Sequence, residues 1–211
     1  MADGPSAQAA SALVRLDEIT RRLRRECPWD RGQDERSIVP HTVEEAYELA
    51  DAAHGGDDAR LVDELGDVLF QVEFLSLLLE ERGAGSLAEV ADHCREKLIR
   101  RHPHVFGGVE ARTAGEVLRN WNQIKREDER GGELFGRIPE TLPSTLYAKK
   151  VLKRAEGAGG PPPARGEGRG DFEGLGERLL AAVRDAVDAG VDPELALRAA
   201  ADRFRRRVEA G

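Results

Sequence analysis

The chain has 211 residues and a net charge of −8; 40% of its residues are hydrophobic, 34% are charged and 5% are aromatic. This length allows one ordinary domain or two small ones, and the composition is typical of helical proteins rich in Ala, Leu, Glu and Arg. The acidic balance argues against nucleic-acid binding, and no apolar stretch reaches the roughly 20 residues of a membrane-spanning helix. The first residues lack a signal-peptide pattern, and Cys27 and Cys94 lack CxxC spacing. We therefore expect a cytoplasmic protein with reduced thiols.

The first third of the chain predicts two helices separated by a loop. Apolar residues at helical spacing predict a helix over about residues 9–25. The stretch Cys27–Pro40 contains Pro and Gly, which predicts an ordered loop. Thr42 followed by Glu45 has the pattern of a capping box and predicts a helix over about residues 43–54.

The central part of the chain predicts three more helices. A helix over about residues 58–82 follows a pair of Asp residues, either of which can cap it. Ser86 and Thr113 are each followed three residues later by Glu, and these capping boxes start helices that run to about Arg101 and Glu129. The core stripe predicted for the helix over 58–82 consists of Leu61, Leu65, Val68, Val72, Leu75 and Leu79.

The C-terminal part differs in composition. Gly157–Gly170 is rich in Gly and Pro and predicts a flexible linker. Two helices are expected beyond it, over about residues 172–189 and from Pro193 to the end. Gly174–Ala210 is similar to Glu64–Phe106, which indicates a second, decayed repeat. Because the loops between the helices before this linker are short, we expect an all-α antiparallel helical bundle with its active site in the first copy.

Two neighbouring predicted helices carry an unusual concentration of negative charge. Nine carboxylates and a single Arg lie within residues 44–67. Glu45 and Glu48 are three residues apart on the first helix, as are Glu64 and Asp67 on the second. Residues three apart are neighbours on a helix surface, so each pair presents two carboxylates to one place at some cost in repulsion.

Two interpretations fit these pairs. Glu45 can be no more than the capping partner of Thr42, with Glu48 a solvated charge beside it. Alternatively, a divalent cation such as Mg²⁺, which takes oxygen ligands and shares them with phosphates, turns the repulsion into attraction. Glu64 borders the predicted core stripe, where unpaired charges are uncommon, and this favours metal binding. The apolar side predicted for the first helix, away from its pair, consists of Val43, Ala46, Tyr47 and Ala50.

Five sequence blocks then indicate a family. In chain order they are CPWD, EEAYE, DELGDVLFQV, KLIRRHPHVFG and WNQIK. Together they closely resemble the MazG nucleoside triphosphate pyrophosphohydrolases over about Leu13–Glu156. The resemblance divides the chain into a catalytic domain over residues 1–156, the linker over 157–170 and a degenerate MazG-like repeat over 171–211.

The resemblance implies an activity and a site. The implied reaction is the hydrolysis of nucleoside triphosphates to the monophosphate and pyrophosphate, with Mg²⁺ as cofactor and Mn²⁺ as a possible substitute. The implied fold is a helical homodimer of the MazG type. Glu44 would assist as ligand or as general base. The metal ligands implied by the resemblance are Glu45, Glu48, Glu64 and Asp67.

Basic and aromatic residues complete the candidate site. In MazG-like proteins, residues matching Lys97 and Arg101 contact phosphates, and Arg100 lies beside them; the ordinary alternative is a basic helix end that interacts with the helix dipole. The pair matching Trp121 and Lys125 takes part in substrate binding, whereas a core Trp beside a solvated Lys is the alternative. Trp29 lies near the nucleoside or packs its loop, and both options remain open.

The chain departs from the family pattern next to the site. Gln33 is followed by Asp-Glu where Thr-His is common, and His41 stands where a Tyr often precedes the acidic helix. These changes leave open which base or sugar is preferred. Two rival functions follow: an all-α hydrolase that prefers dUTP, modified nucleotides or a guanosine alarmone, and a non-catalytic helical interaction protein. Pyrophosphate release distinguishes the second from an enzyme.

Overall fold

The computed structural model describes residues 4–129, 138–157 and 170–210. All regular secondary structure in these ranges is helical, which confirms the predicted all-α fold. The chain divides into two compact units, Met1–Val109 and Glu110–Gly211. Within the described residues, none of the helices has the length and apolar character needed to cross a membrane.

The first unit contains five helices and one short turn of 3-10 helix. The longest, α3, packs against α1, α2 and α4. In chain order the elements are α1 (Pro5–Glu26), the 3-10 turn (Asp30–Gly32), α2 (Glu35–Gly55), α3 (Asp58–Glu81), α4 (Leu87–Arg101) and α5 (Pro103–Phe106).

Helix α2 begins eight residues earlier than the sequence indicated. Its cap is Asp34, whose carboxylate accepts the Ser37 N–H at 2.8 Å while the Ser37 hydroxyl accepts the Asp34 N–H. The prediction that the loop extends to Pro40 was therefore wrong, because this Pro lies inside the helix. The prediction of a cap at Thr42 was also wrong, since its hydroxyl donates within the helix to the Ile38 carbonyl.

A tight turn makes α2 and α3 antiparallel neighbours. Gly56 adopts a left-handed conformation (φ 70°), which side chains disfavour, and so ends α2. Asp57 then caps α3 by accepting the N–H groups of Ala59 and Arg60, as predicted. The turn places the C-terminal half of α2 beside the N-terminal half of α3.

The buried faces of α2 and α3 differ from the predicted stripes. On α3 the buried positions include Glu64, Gln71 and Leu78, which repeat every seven residues on one face. On α2 they are Ile38 and Ala52, and Glu45 lies midway between them on the same face. The core cluster consists of Ile38, Phe74 and Leu78, with Phe70 and Leu75 packed against it.

The prediction of a continuous apolar stripe on α3 was therefore only partly right. Leu65 and Val72 are 50% and 39% exposed, whereas the polar side chains of Gln71 and Glu73 are buried. The prediction for α2 was wrong at Val43, which is 52% exposed. Periodicity alone cannot distinguish a face that packs within the chain from an apolar face that remains exposed.

Ion pairs join α1 to α3. Arg21 forms a two-pronged pair with Glu80, at 2.9 and 2.6 Å. Glu73 faces the same interface and is only 3% exposed, and its Oε1 has no hydrogen-bond partner in the described part of the chain. Burial raises the pKa of the Glu73 carboxyl; the charge of Asp17 adds to this shift and that of Arg21 opposes it.

Replacing Glu73 by Gln is expected to raise the free energy of unfolding by about 1 kcal/mol at pH 7, because a buried carboxylate whose Oε1 lacks a hydrogen-bond partner becomes a neutral amide. The folded state holds the Glu73 proton more tightly than the unfolded state does. Wild-type stability should therefore fall as pH rises above the ordinary Glu pKa of about 4.3 and through the raised folded value. Urea unfolding between pH 4 and pH 8 measures this effect.

The Gln variant should lack that fall, so the two proteins should converge toward about pH 4. Glu18 lies exposed on α1 and supplies the matched control, because Glu18→Gln should change stability little at any pH. A Glu73→Gln variant that is less stable than the wild type at pH 7 would show that the carboxylate has a stabilising partner.

The described residues of the second unit form four helices. They are α6 (Ala114–Glu129), α7 (Ser144–Gly157), α8 (Phe172–Asp188) and α9 (Pro193–Ala210). The capping of α6 is as predicted, since Glu116 accepts the N–H groups of Arg112 and Thr113. Helix α7 was not predicted. It packs against α8 and α9, where Lys149 pairs with Asp192 and the Thr145 hydroxyl donates to Glu194.

The predicted domain division stays a prediction. The two compact units separate between Val109 and Glu110, whereas the sequence placed the end of the catalytic domain at residue 156. Nearly all of the predicted linker, residues 158–169, lies outside the described residues. Since α7 packs on α8 and α9, the C-terminal unit includes at least one helix that the proposed repeat does not contain.

Candidate metal centre

Carboxylates from two adjacent helices converge in the first unit. Glu45 and Glu48 of α2 and Glu64 of α3 each offer an oxygen, and these atoms lie within 4.8 Å of one another. The hairpin explains the convergence, because Glu45 lies on the α2 face that packs on α3 and Glu64 lies on the corresponding face of α3. Glu64 is 8% exposed, whereas Glu48 is exposed and Glu45 is half-buried.

The carboxylates of this cluster repel one another. Burial raises the pKa of the Glu45 carboxyl, and the charges of four neighbouring carboxylates raise it further. In decreasing order of effect, these neighbours are Asp67, Glu48, Glu64 and Glu44. Asp67 is not one of the three residues whose oxygens lie within 4.8 Å of one another. Its charge nevertheless raises the pKa of Glu45 more than the charge of any of the other three carboxylates does. Its role as a fourth ligand stays a prediction.

One cation contacts the cluster directly. The Arg60 Nε–H donates to the Glu64 Oε1 at 3.3 Å, four residues earlier on α3. The sequence had suggested that Glu64 lacks a partner, but this pair satisfies one of its oxygens. The Arg60 side chain of this pair is half exposed, and such i, i+4 pairs contribute only a few tenths of a kcal/mol to helix stability. Arg60 therefore offsets little of the repulsion.

The donor set fits a hard divalent cation. All three converging groups are carboxylates, the ligands that Mg²⁺ and Mn²⁺ prefer, with neither thiol nor imidazole among them. The mixture of a buried and an exposed carboxylate leaves one side of the cluster open to a substrate. The three oxygens lie close enough to share one ion, which makes Glu45, Glu48 and Glu64 a candidate metal centre.

A second group extends from this cluster toward the start of α2. The His41 Nδ1 lies 3.8 Å from the Glu44 Oε2, one turn earlier on the same helix. The ring of Trp29 meets that of His41 edge to face, with centroids 5.8 Å apart. Trp29 is 51% exposed, so its other surfaces remain accessible. His41 thus connects Trp29 to Glu44. In the sequence, His41 was notable only as a departure from the family pattern.

The remaining predicted site residues lie on other helices. Lys97, Arg100 and Arg101 occupy the last turns of α4, which packs on α3. Lys97 and Arg101 are half-buried, and Arg100 is exposed. On α6, in the second unit, the Lys125 Nζ lies 5.1 Å from the Trp121 ring centroid. The roles of all five residues toward a substrate stay predictions.

Two residues that make contacts in this region were not predicted from the sequence. Arg60 could have been identified from its position four residues before Glu64. Arg24 could not, because its contacts to the loop after α1 and to the end of α3 join distant parts of the chain.

The sequence relationships agree with this geometry. Residues 33–106, which contain the whole carboxylate cluster, match the model of the MazG nucleotide pyrophosphohydrolase domain. The chain is 35% identical over 223 residues to the nucleoside triphosphate pyrophosphohydrolase of Escherichia coli K12, covering 92% of this chain and 85% of that protein.

Two further relatives support the match. The nucleoside triphosphate pyrophosphohydrolase/pyrophosphatase MazG of Thermotoga maritima is 32% identical over 209 residues, covering 87% of this chain and 78% of that protein. The nucleoside triphosphate pyrophosphohydrolase of Mycobacterium tuberculosis is 31% identical over 159 residues, covering 74% and 49%. These alignments extend far beyond the acidic helices and confirm the resemblance found in the sequence. The chain belongs to the MazG family of nucleotide pyrophosphohydrolases.

Proposed function

We propose that this chain hydrolyses nucleoside triphosphates to the nucleoside monophosphate and pyrophosphate, a reaction suited to clearing unwanted nucleotides. The observation that carries the proposal is the convergence of Glu45, Glu48 and Glu64 from two adjacent helices. Family membership and the activities for which the relatives are named support the same reaction.

The proposed cofactor is Mg²⁺, held by Glu45, Glu48 and Glu64 with Asp67 as the fourth ligand, and Mn²⁺ is the proposed substitute. When bound, the ion supplies positive charge that offsets the charge of the phosphates. The ligands come from two helices whose arrangement is fixed by the Gly56 turn, so this turn holds the carboxylates in place.

The hydrolytic step requires a base. A water oxygen forms a bond to phosphorus, the phosphoanhydride bond breaks, and pyrophosphate leaves. Glu44 is the proposed acceptor of the water's proton, since its side chain is 66% exposed and stands next to the ligand Glu45, which can share the role. Lys97 and Arg101 would stabilise the charge of the leaving pyrophosphate, as positioned cations do in phosphoryl transfer.

The nucleoside end requires a different surface. Trp29 and Trp121 are the proposed base-stacking residues, because an indole face accepts any base. Lys125, which lies over the Trp121 ring, is a proposed substrate-binding residue because the resemblance implies it, and Arg100 on α4 is another. In this proposal the cationic side chains bind the phosphates and the aromatic side chains stack on the base.

Product analysis tests the proposed reaction. Nucleotides incubated with the protein and Mg²⁺ are expected to yield equal amounts of monophosphate and pyrophosphate, with none formed in excess EDTA. The panel should include canonical triphosphates, dUTP, oxidised nucleotides and a guanosine alarmone, because the rival hydrolases differ in that choice. Release of orthophosphate with a diphosphate product would contradict the proposed bond cleavage, and no hydrolysis of any nucleotide would favour the interaction protein.

We also propose that the chain is a homodimer, as the resemblance implies. Four large apolar side chains follow one side of α3 at helical spacing and remain exposed in the single chain. They are Val62 (71%), Leu65 (50%), Leu69 (38%) and Val72 (39%). A contiguous exposed stripe of this kind is typical of an interface between subunits.

Replacing Leu65 and Leu69 together by Gln is expected to convert the dimer into a monomer with retained helix content, because the exposed parts of both side chains lose apolar contact area in the interface and the core cluster does not include either residue. Light scattering on a size-exclusion column measures the mass. Leu179→Gln, at a 68% exposed position of α8, is the matched control and should leave the mass unchanged. A wild-type protein that is monomeric at high micromolar concentration would contradict the proposal.

A further inference from the structure

Arg24, at the end of α1, connects three separate parts of the first unit. Its Nε–H and Nη2–H groups donate to the two carboxylate oxygens of Glu81 at 2.9 and 2.8 Å. Its Nη1–H groups donate to the carbonyls of Asp30 and Gln33, at 2.5 and 3.0 Å. The guanidinium also lies 5.8 Å from the ring centroid of Phe74, at the centre of the core.

The two carbonyls that Arg24 binds belong to the first residue of the 3-10 turn, Asp30, and to the residue after it, Gln33; Trp29 directly precedes this turn. Within the loop after α1, the Gln33 side-chain amide donates to the Trp29 carbonyl at 3.0 Å, and Asp30 is only 6% exposed. Arg24 therefore ties both ends of the 3-10 segment to α1, and the same guanidinium pairs with Glu81 on α3. Trp29 projects from the loop with half of its surface exposed and its ring against His41.

We propose that Arg24 is a positioning residue that holds the Trp29 loop against α2, so that the indole faces the nucleoside of the substrate. This inference rests on the proposed function and on the proposed stacking role of Trp29. The Arg24 side chain is 17% exposed, and charge-assisted bonds to a carboxylate and to carbonyls are strong in such surroundings. Without them the loop loses its anchor to the α1 side chain, whereas no residue of the carboxylate cluster is among the partners of Arg24.

The neighbouring Arg21 provides a matched control. It forms the same two-pronged pair across the α1–α3 interface, with Glu80 in place of Glu81. Its other described partner is Asp17 on α1 itself, so its described contacts all lie within or between the two helices. Arg21→Met therefore removes an ion pair between the helices, and Arg24→Met removes an ion pair together with the loop anchor.

Steady-state kinetics with a nucleoside triphosphate and saturating Mg²⁺ tests the proposal. Arg24→Met is expected to raise KM about tenfold, since base stacking on an aromatic side chain contributes on that scale, with kcat changed less than about twofold. In a Trp29→Ala background the same substitution should change KM less than about twofold, because the anchored side chain is already absent. Arg21→Met should leave KM within about twofold of the wild type.

Three results would overturn the proposal: an unchanged KM in Arg24→Met, the same tenfold rise in the Trp29→Ala background, or an equal rise in Arg21→Met. If Arg24→Met fails to fold, Arg24→Lys provides the same test, because an ammonium group cannot bind the Glu81 carboxylate and both carbonyls at once.

A spectroscopic measurement separates this proposal from the activity. In a Trp121→Phe background Trp29 is the sole tryptophan, because the chain has two. Acrylamide quenching of its fluorescence should increase when Arg24→Met is added and stay constant when Arg21→Met is added. Constant quenching in both variants would show that Arg24 does not position the loop. This measurement needs no turnover, so a failure of the proposed reaction is detected separately by the product analysis.

Discussion

Replacing Glu48 by Ala is expected to lower the turnover number by about 10²–10³-fold, which is the usual loss when one electrostatic stabiliser of the transition state is removed. Glu48 is exposed and contributes an oxygen to the group of three carboxylates. Its removal leaves two converging ligands and an open face, while the packing of α2 on α3 through Ile38 and Phe74 is untouched. Helix content by circular dichroism should therefore stay unchanged.

The control for this variant is Glu18→Ala. Glu18 is an exposed carboxylate on α1, a helix that carries none of the proposed ligands. The control variant should retain turnover within about twofold, since surface substitutions away from a site have small effects. Asp67→Ala is expected to behave like Glu48→Ala, given the effect of Asp67 on Glu45. Full activity in Glu48→Ala would rule out the proposed set of metal ligands.

Adding Mg²⁺ is expected to raise the melting temperature by about 5–10 °C at a concentration one hundred times the dissociation constant. Binding at that ratio stabilises the folded state by about 2.7 kcal/mol, and a chain of this size gains roughly 2–4 °C per kcal/mol. The stabilisation arises because the ion replaces the repulsion that raises the pKa of Glu45 with attraction. Differential scanning fluorimetry over a Mg²⁺ titration measures it.

Two comparisons make this measurement specific. Sodium chloride at equal ionic strength screens surface charges without binding the site, so it should give a smaller shift that does not saturate. Glu48→Ala should lose most of the Mg²⁺-specific part, because a ligand is missing. A titration that stays flat in the wild type, or one that is identical in the variant, would show that the ion does not bind at these carboxylates.

The carboxylate cluster was predictable because it follows from local spacing. Glu45 with Glu48, and Glu64 with Asp67, are i, i+3 pairs whose proximity requires only that the two segments are helical. The turn at Gly55–Gly56 is short, which makes the two helices neighbours. The structure accordingly brings three of the four predicted ligands within reach of one another, and the membership of Asp67 depends on details of side-chain placement that spacing does not determine.

Errors arose where several local signals competed. Pro40 indicated a break, yet the capping pair Asp34–Ser37 starts α2 before it, and the helix continues through the Pro in its second turn. On α3 the apolar residues nearly surround the helix, so periodicity alone could not select the buried face. Leu65 is exposed and Gln71 is buried, because α2 packs on the side that carries Glu64 rather than on the most apolar side.

Contacts between distant segments were beyond prediction from the sequence. Arg24 and Glu81 are 57 residues apart, and their pairing depends on how α1 docks on α3. The contact between Trp29 and His41 similarly depends on the loop conformation that Arg24 maintains. Sequence patterns identified which residues carry charge or aromatic surface, but tertiary packing determines which of them meet.

The location of a bound ion tests the central claim most directly. Crystals soaked in Mn²⁺ and measured at the manganese absorption edge are predicted to show an anomalous peak between the carboxylates of Glu45, Glu48 and Glu64, within about 2.5 Å of their oxygens. Crystals saturated with Mn²⁺ in which these three carboxylates hold no ion, or in which the peak lies at other residues, would contradict the account.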